Sequence, residues 1–162
     1  MRTLTQHRTD EDDDMTNAQP TPADLVGAWR LDNWRISFSD DRPDTYPYGE
    51  DAKGYLIYEP SGRMAVMVSN NDRPAISDAN IRRAPVEEKV AAFDTFFGYC
   101  GTWALKDGQM VHSVDMSLNP NFVGTDQVRG IEYTPGALTL IEQSTTRTGA
   151  VMRNQLAWRK IS

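Results

Sequence analysis

The chain has a single cysteine among its 162 residues, which excludes an intramolecular disulfide and a cysteine-rich zinc module. It has no run of about 18 apolar residues, so no segment is expected to cross a membrane as a helix. The N-terminus lacks the apolar stretch of a secretory signal. Basic residues are outnumbered, 17 Lys and Arg against 23 Asp and Glu. That balance argues against a nucleic-acid partner, which needs a basic patch. Histidine occurs twice, at His7 and His112, so a transition-metal site would need carboxylates, and no ligand pair stands out. No Gly-x-Gly-x-x-Gly follows a strand, and there is no phosphate-binding Walker loop and no Gly-x-Ser-x-Gly elbow. The expectation is a cytoplasmic protein that uses no cofactor and no metal and engages neither nucleic acid nor membrane.

Aromatic residues are absent from residues 1–22, and half of the net charge of −6 lies there, in Arg2 and Arg8 against Asp10, Glu11, Asp12, Asp13 and Asp14. A polar stretch without core-forming side chains does not offset its ordering entropy. Residues 1–22 are therefore expected to be a disordered acidic leader, with Met15 an alternative start, and residues 23–162 a single domain.

What the domain does contain is β signal. Val26–Phe38, Gly54–Glu59, Arg63–Ser69, Tyr99–Leu105, Gln109–Ser117, Thr125–Tyr133, Ala137–Ser144 and Ala150–Lys160 are rich in branched and aromatic residues. Turn residues punctuate them: Pro60-Ser61-Gly62, Lys106-Asp107-Gly108, Asn119-Pro120-Asn121, Pro135-Gly136 and Gly149. One segment reads as a helix. Pro85 suits a first turn, Glu87 and Glu88 suit the helix dipole, and Val86, Val90, Phe93 and Phe97 form an apolar stripe ending at Gly98. Eight consecutive strands must hide their edges, and an up-and-down antiparallel barrel does so while leaving room inside for one small ligand. The helix, between strands three and four, is expected to bury its stripe across a barrel end.

Gly27-Ala28-Trp29 resembles the Gly-x-Trp signature of the lipocalins. Further on come Tyr46–Gly49 (YPYG), Gly54–Tyr58 (GYLIY) with Gly62-Arg63-Met64, Ala92-Phe93-Asp94, Tyr99-Cys100-Gly101-Thr102, and Ser117–Gly124 (SLNPNFVG) with Asp126-Gln127-Val128-Arg129. In this order they resemble the bacterial and fungal lipocalin-like domain family of small intracellular barrels, over roughly residues 24–160. The resemblance implies that Trp29 closes the barrel base and that Arg159 packs on it as a structural cation–π pair. It also implies proximity to secondary-metabolite biosynthesis. Related barrels include catalysts of polyketide cyclisation as well as passive carriers.

Strand faces alternate with period two. If Trp29 points inward, Leu31, Asn33 and Arg35 share its face, while Arg30, Asp32 and Trp34 point out. Strand five offers His112, Val114 and Met116 to the interior, and strand six Thr125, Gln127, Arg129, Ile131 and Tyr133. Strand three offers Met64, Val66 and Val68, or else Ala65 and Met67; strand two offers Tyr58 or Tyr55. Bulges can flip any of these assignments. The expected ligand contacts are Asn33, Met64, Val66, Tyr99, Val114, Met116, Gln127 and Tyr133, an apolar wall with a few convergent polar groups.

Three positions can carry chemistry. His112 can act as general acid or base or orient a carbonyl, or be a satisfied interior histidine. Arg129 can bind an anionic or enolate oxygen, or pair internally with Glu142. Tyr58 or Tyr99 can donate to a substrate carbonyl, or simply pack. Cys100, with no activating base in view, reads as a small buried hydrophobe. Asn119-Pro120-Asn121-Phe122 shapes a loop at one end. Two functions remain open: a cofactor-free cyclase or isomerase using His112, Arg129 and Tyr58, and a carrier of a hydrophobic metabolite. A homodimer through an outer face around Trp34 or Trp103 is a further expectation.

Overall fold

A computed structural model describes residues 19–162. The expected leader therefore lies, through position 18 and including Met15, outside the described residues. A short helix α1 (Pro22–Leu25) leads into β1 (Gly27–Phe38), β2 (Lys53–Tyr58) and β3 (Arg63–Ser69). Helix α2 (Val86–Asp94) precedes β4 (Phe96–Lys106), β5 (Gln109–Ser117), β6 (Asp126–Thr134), β7 (Ala137–Thr145) and β8 (Val151–Lys160). Each strand pairs antiparallel with the next, and β8 returns to β1, so the eight strands close into a barrel in chain order. The expected up-and-down barrel is therefore the observed one. The turns explain the meander: Asp107 and Gly108 both take positive φ, 50° and 73°, the mirror-image turn whose twist matches a two-residue hairpin.

One end of the barrel is plugged. Leu25, Trp29, Leu56, Met110, Leu138 and Trp158 are almost completely buried there, each large apolar side chain stabilising the fold by about 1.5–3 kcal/mol. The Trp29 indole N–H donates to the Leu25 carbonyl at 2.8 Å, tying β1 to α1. The cation over Trp29 is Lys160, its ammonium 5.4 Å from the ring, and that ammonium also donates to the Asp24 carbonyl at 2.8 Å. This corrects the expected role of Arg159. Register decides it, because Trp29 lies opposite Lys160 whereas Arg159 lies opposite Arg30 on the outer face. Arg159 instead pairs with Asp32 at 3.2 Å.

Two β-bulges revise the face assignments. Along β1 and β8 the register passes from Leu31–Trp158 to Asn33–Ala157, leaving Asp32 without a partner. Alternation then resumes one residue out of phase. Trp34 turns into the barrel, while Asn33 and Arg35 line a groove on its outer surface, with Arg35 3.4 Å from Asp44. Along β4 and β5 the register passes from Cys100–Met116 to Gly101–Val114, leaving Asp115 over. Val114 is buried but Met116 is 67% exposed, so Met116 faces out rather than in. Both displaced aspartates pair with an arginine outside, Asp32 with Arg159 and Asp115 with Arg63. The dimer face expected around Trp34 or Trp103 loses both residues, since Trp34 lines the interior and Trp103 is buried against Tyr58.

Helix α2 stands between β3 and β4 in the chain, but it ends earlier than its stripe predicts. Thr95 caps it, its hydroxyl donating to the Ala91 carbonyl at 2.6 Å. Phe96 and Phe97 then enter β4 opposite Ser69 and Val68. The expected burial of the stripe does not occur, since Val86, Val90 and Phe93 are more than half exposed. The face turned inward is instead Glu88, Ala91 and Ala92. Polar tethers hold it: Glu88 accepts from Ser77, the Lys89 ammonium donates to the Arg82 carbonyl, and Arg73 donates to the Ala92 carbonyl.

The bulge on β5 makes a sharp prediction about glycine. A Cβ on the buried Gly101 would run into the Ser113 carbonyl oxygen, which is backbone of the bulged strand, whereas a Cβ on Gly130 meets nothing nearer than 3.6 Å. Gly101→Ala should cost at least about 3 kcal/mol and Gly130→Ala less than about 1 kcal/mol. Urea unfolding midpoints of the two variants measure the contrast.

Candidate functional site

The interior beyond the plug is a cavity of about 330 Å³, at the small end of the size range of ligand pockets. Leu56, Val66, Leu140, Leu156 and Trp158 line its apolar inner part. Trp34, Tyr48, Phe97 and Phe122 form an aromatic wall, with Pro47 beside them. Ring centroids lie 5.0 Å apart for Trp34–Tyr48, 5.7 Å for Trp34–Phe97 and 5.9 Å for Phe97–Phe122, with the last two edge-on. Such tilted contacts hold rings rigidly. The Trp34 N–H donates to Asn154 Oδ1 at 2.6 Å, which fixes the indole against β8. The Asn119–Phe122 loop does shape this end: the Asn119 side chain accepts from the Asn121 N–H and presents Phe122 to the cavity.

Into this apolar space three strands deliver one polar chain. Tyr58 (β2) approaches His112 Nε2 at 2.7 Å, and Tyr99 (β4) approaches His112 Nδ1 at 2.7 Å. His112 (β5) is 1% exposed. Burial drives its pKa from 6.5 down to about 3, and the nearby Arg129 guanidinium pushes in the same direction. The imidazole is therefore neutral at physiological pH. Burial holds the Tyr58 phenol well above its usual range and pushes Tyr99 up to about 12, with Arg129 opposing the latter. Both phenols keep their protons.

A neutral imidazole has one N–H and one lone pair, so one tyrosine donates to it and the other accepts. Donor balance assigns the order. Tyr58 is fully buried, and among the described residues its hydroxyl meets only His112. If it accepted, its own proton would have no acceptor, at a cost of about 1–3 kcal/mol. Tyr58 therefore donates to Nε2, the proton of His112 sits on Nδ1, and Tyr99 accepts it. The Tyr99 O–H is left to point elsewhere, and Tyr99 lines the cavity.

Arg129 (β6) also lines the cavity, its side chain only 16% exposed. It meets Glu142 at 3.6 Å, the internal pair weighed from the sequence, and donates to Gln127 Oε1 at 3.1 Å and to the Val128 carbonyl at 2.9 Å. Of the residues expected from the sequence, Val66, Tyr99, His112 and Arg129 meet at this cavity. Tyr58 stands behind His112 rather than on the wall. Met64, Val114 and Tyr133 are buried in the core without lining it, Gln127 holds Arg129, and Asn33 and Met116 lie outside. Missed were Trp34, Tyr48, Phe97, Phe122 and Asn154. Tyr48 and Phe122 sit inside the YPYG and SLNPNFVG motifs, which was the available signal.

The closed barrel with this motif set has a counterpart among protein families. The model of the family described as lipocalin-like domain matches residues 26–161. The chain belongs to the lipocalin-like domain family. No curated protein matches it. A lipocalin-like barrel is consistent with binding of a hydrophobic small molecule. Among the described residues no helix is long and apolar enough to cross a membrane.

The neutral state of His112 has a consequence for pH. Its folded pKa lies below its unfolded one, so the unfolded chain binds the extra proton. The stability this neutral burial supplies is complete above about pH 6.5 and is lost as pH falls toward about 3. Between pH 7 and pH 5 the wild type should lose about 2 kcal/mol more than His112→Gln. Urea unfolding of both proteins at the two pH values measures this difference in slope.

Proposed function

We propose that this lipocalin-like domain takes up an apolar carbonyl compound and promotes its cyclisation, cycloaddition or isomerisation, working in the cytoplasm in polyketide-like secondary metabolism and without a cofactor. The observation that carries this reading is the Tyr58–His112–Tyr99 chain, which ends in a hydroxyl donor at the wall of an aromatic cavity.

Each part has a task. The aromatic wall selects a folded conformer of a flexible substrate, which lowers the entropic part of the barrier. The Tyr99 O–H donates to a carbonyl oxygen and strengthens that bond as charge develops there. Arg129, on the same wall, stabilises an enolate-like oxygen electrostatically. His112 is too weak a base and too rarely protonated to act as general acid or base near neutrality. Its role is to accept from Tyr58 and hold the Tyr99 oxygen, which leaves the tyrosine proton free for substrate. Tyr58 is a positioning residue.

The second reading, a carrier for a hydrophobic metabolite, is favoured by one observation. With His112 near 3 and Tyr99 near 12, neither exchanges a proton readily at neutral pH. Binding alone needs nothing more than the cavity.

A thermal-shift screen of metabolite extracts, followed by chromatography and mass spectrometry of the released compound, separates the two. Chromatography is essential because isomerisation leaves the mass unchanged. Catalysis predicts a changed compound. It also predicts that Tyr99→Phe lowers kcat by about 10²–10³ with kcat/KM in proportion, and that Tyr58→Phe lowers it less. A ligand that raises Tm and is recovered unchanged supports the carrier. Unaltered turnover in Tyr99→Phe would overturn the role given to Tyr99.

A further inference from the structure

The described residues contain all four tryptophans of the chain. Three indole N–H groups are paired within the protein: Trp29 with the Leu25 carbonyl, Trp34 with Asn154 Oδ1, and Trp103 with the Glu59 carbonyl at 3.1 Å. The fourth is not. Trp158 is 1% exposed and lines the cavity, yet its Nε1 has no hydrogen-bond partner among the described residues. A buried donor without an acceptor is rare in native proteins and calls for a cause.

The same imbalance runs through the inner cavity. The Tyr99 O–H is spare, because its oxygen accepts from His112. Of the acceptors on the wall, His112 Nε2 is taken by Tyr58 and Asn154 Oδ1 by Trp34, while the Glu142 carboxylate, 48% exposed, faces Arg129 across 3.6 Å rather than the buried depth of the cavity. The cavity therefore offers donors at depth from two different strands, β4 and β8, within apolar walls. A hydroxylated ligand that needs acceptors is poorly served there, and a molecule rich in acceptor oxygens is well served.

We infer that the ligand is an apolar molecule with two carbonyl oxygens, one accepting from the Tyr99 O–H and the other from the Trp158 N–H. This rests on the binding reading above and names its substrate class. Trp158 thereby becomes a ligand contact as well as part of the plug. Two oxygens held from opposite partners also fix the orientation of the molecule in the barrel, which a single hydrogen bond does not.

The test uses two isosteric series, benzil, deoxybenzoin and bibenzyl, and anthraquinone, anthrone and anthracene, which carry two, one and no carbonyl groups at two different oxygen spacings. Calorimetry should show at least one diketone binding about tenfold tighter than its one-carbonyl analogue. Tyr99→Phe and Trp158→Phe should each erase that advantage. In ¹⁵N–¹H spectra of the unmutated protein, with its four indole resonances assigned through bonds, that of Trp158 should move downfield with the diketone. The assignment does not need the variant, so the spectrum decides even if Trp158→Phe folds poorly. If both diketones bind no better than their analogues, or if the Trp158 resonance stays in place on binding, the two-carbonyl inference is overturned while the binding reading stands. If no member of either series binds, the binding reading falls and the inference with it.

Discussion

A buried, neutral imidazole pinned between two phenols is the constraint on which the interior depends. Tyr58, Tyr99 and His112 come from β2, β4 and β5, so the chain crosses the barrel rather than following one hairpin. It forms only if the strands keep their curvature and the barrel closes. In return it satisfies both ring nitrogens of His112 and the Tyr58 hydroxyl, which would be costly to bury alone, and leaves the Tyr99 proton to the cavity. A partly satisfied version would be worse than an apolar core, so this network and the closed architecture depend on each other.

The network also sets the character of the cavity. Its members hold their protons across the physiological range, so the interior presents fixed dipoles rather than groups that titrate. A site of this kind stabilises charge without reorganising, which suits both firm binding of a carbonyl compound and acceleration of a reaction that develops negative charge on oxygen. Arg129 adds a full charge at the same wall, moderated by Glu142. The plug at the other end, where Lys160 covers Trp29, keeps that end of the core packed and leaves the ring-lined side as the place where a ligand can sit.

Much of the fold was legible because turns are local. Pro60-Ser61-Gly62 and Asp107-Gly108 announce hairpins on their own residues, and a meander of eight strands has few ways to close. The polar triad was legible as candidates, since His112, Tyr58 and Tyr99 are the residue types able to form it. Their order was not, because it depends on which hydroxyl lacks another partner. Trp34 and Met116 were misplaced for a different reason. Period-two alternation is exact only within an uninterrupted ladder, and Asp32 and Asp115 interrupt it. Phe97 was drawn into the helical stripe by spacing alone, while its real determinant is pairing opposite Val68, a contact distant in sequence.

The two extruded aspartates have an evolutionary corollary. Each adds a single residue to one strand, and the bulge absorbs it, so the side chains beyond keep their faces. Without Asp32, Asn33 would follow Leu31 directly and Trp34 would still point inward; without Asp115, Met116 would follow Val114 directly and still point out. Strand length can therefore change by one residue at these two points without a change of chamber. Two barrels that differ only by such a residue in β1 or β5 would enclose the same wall, although counting alternation from one strand end would assign them different ones.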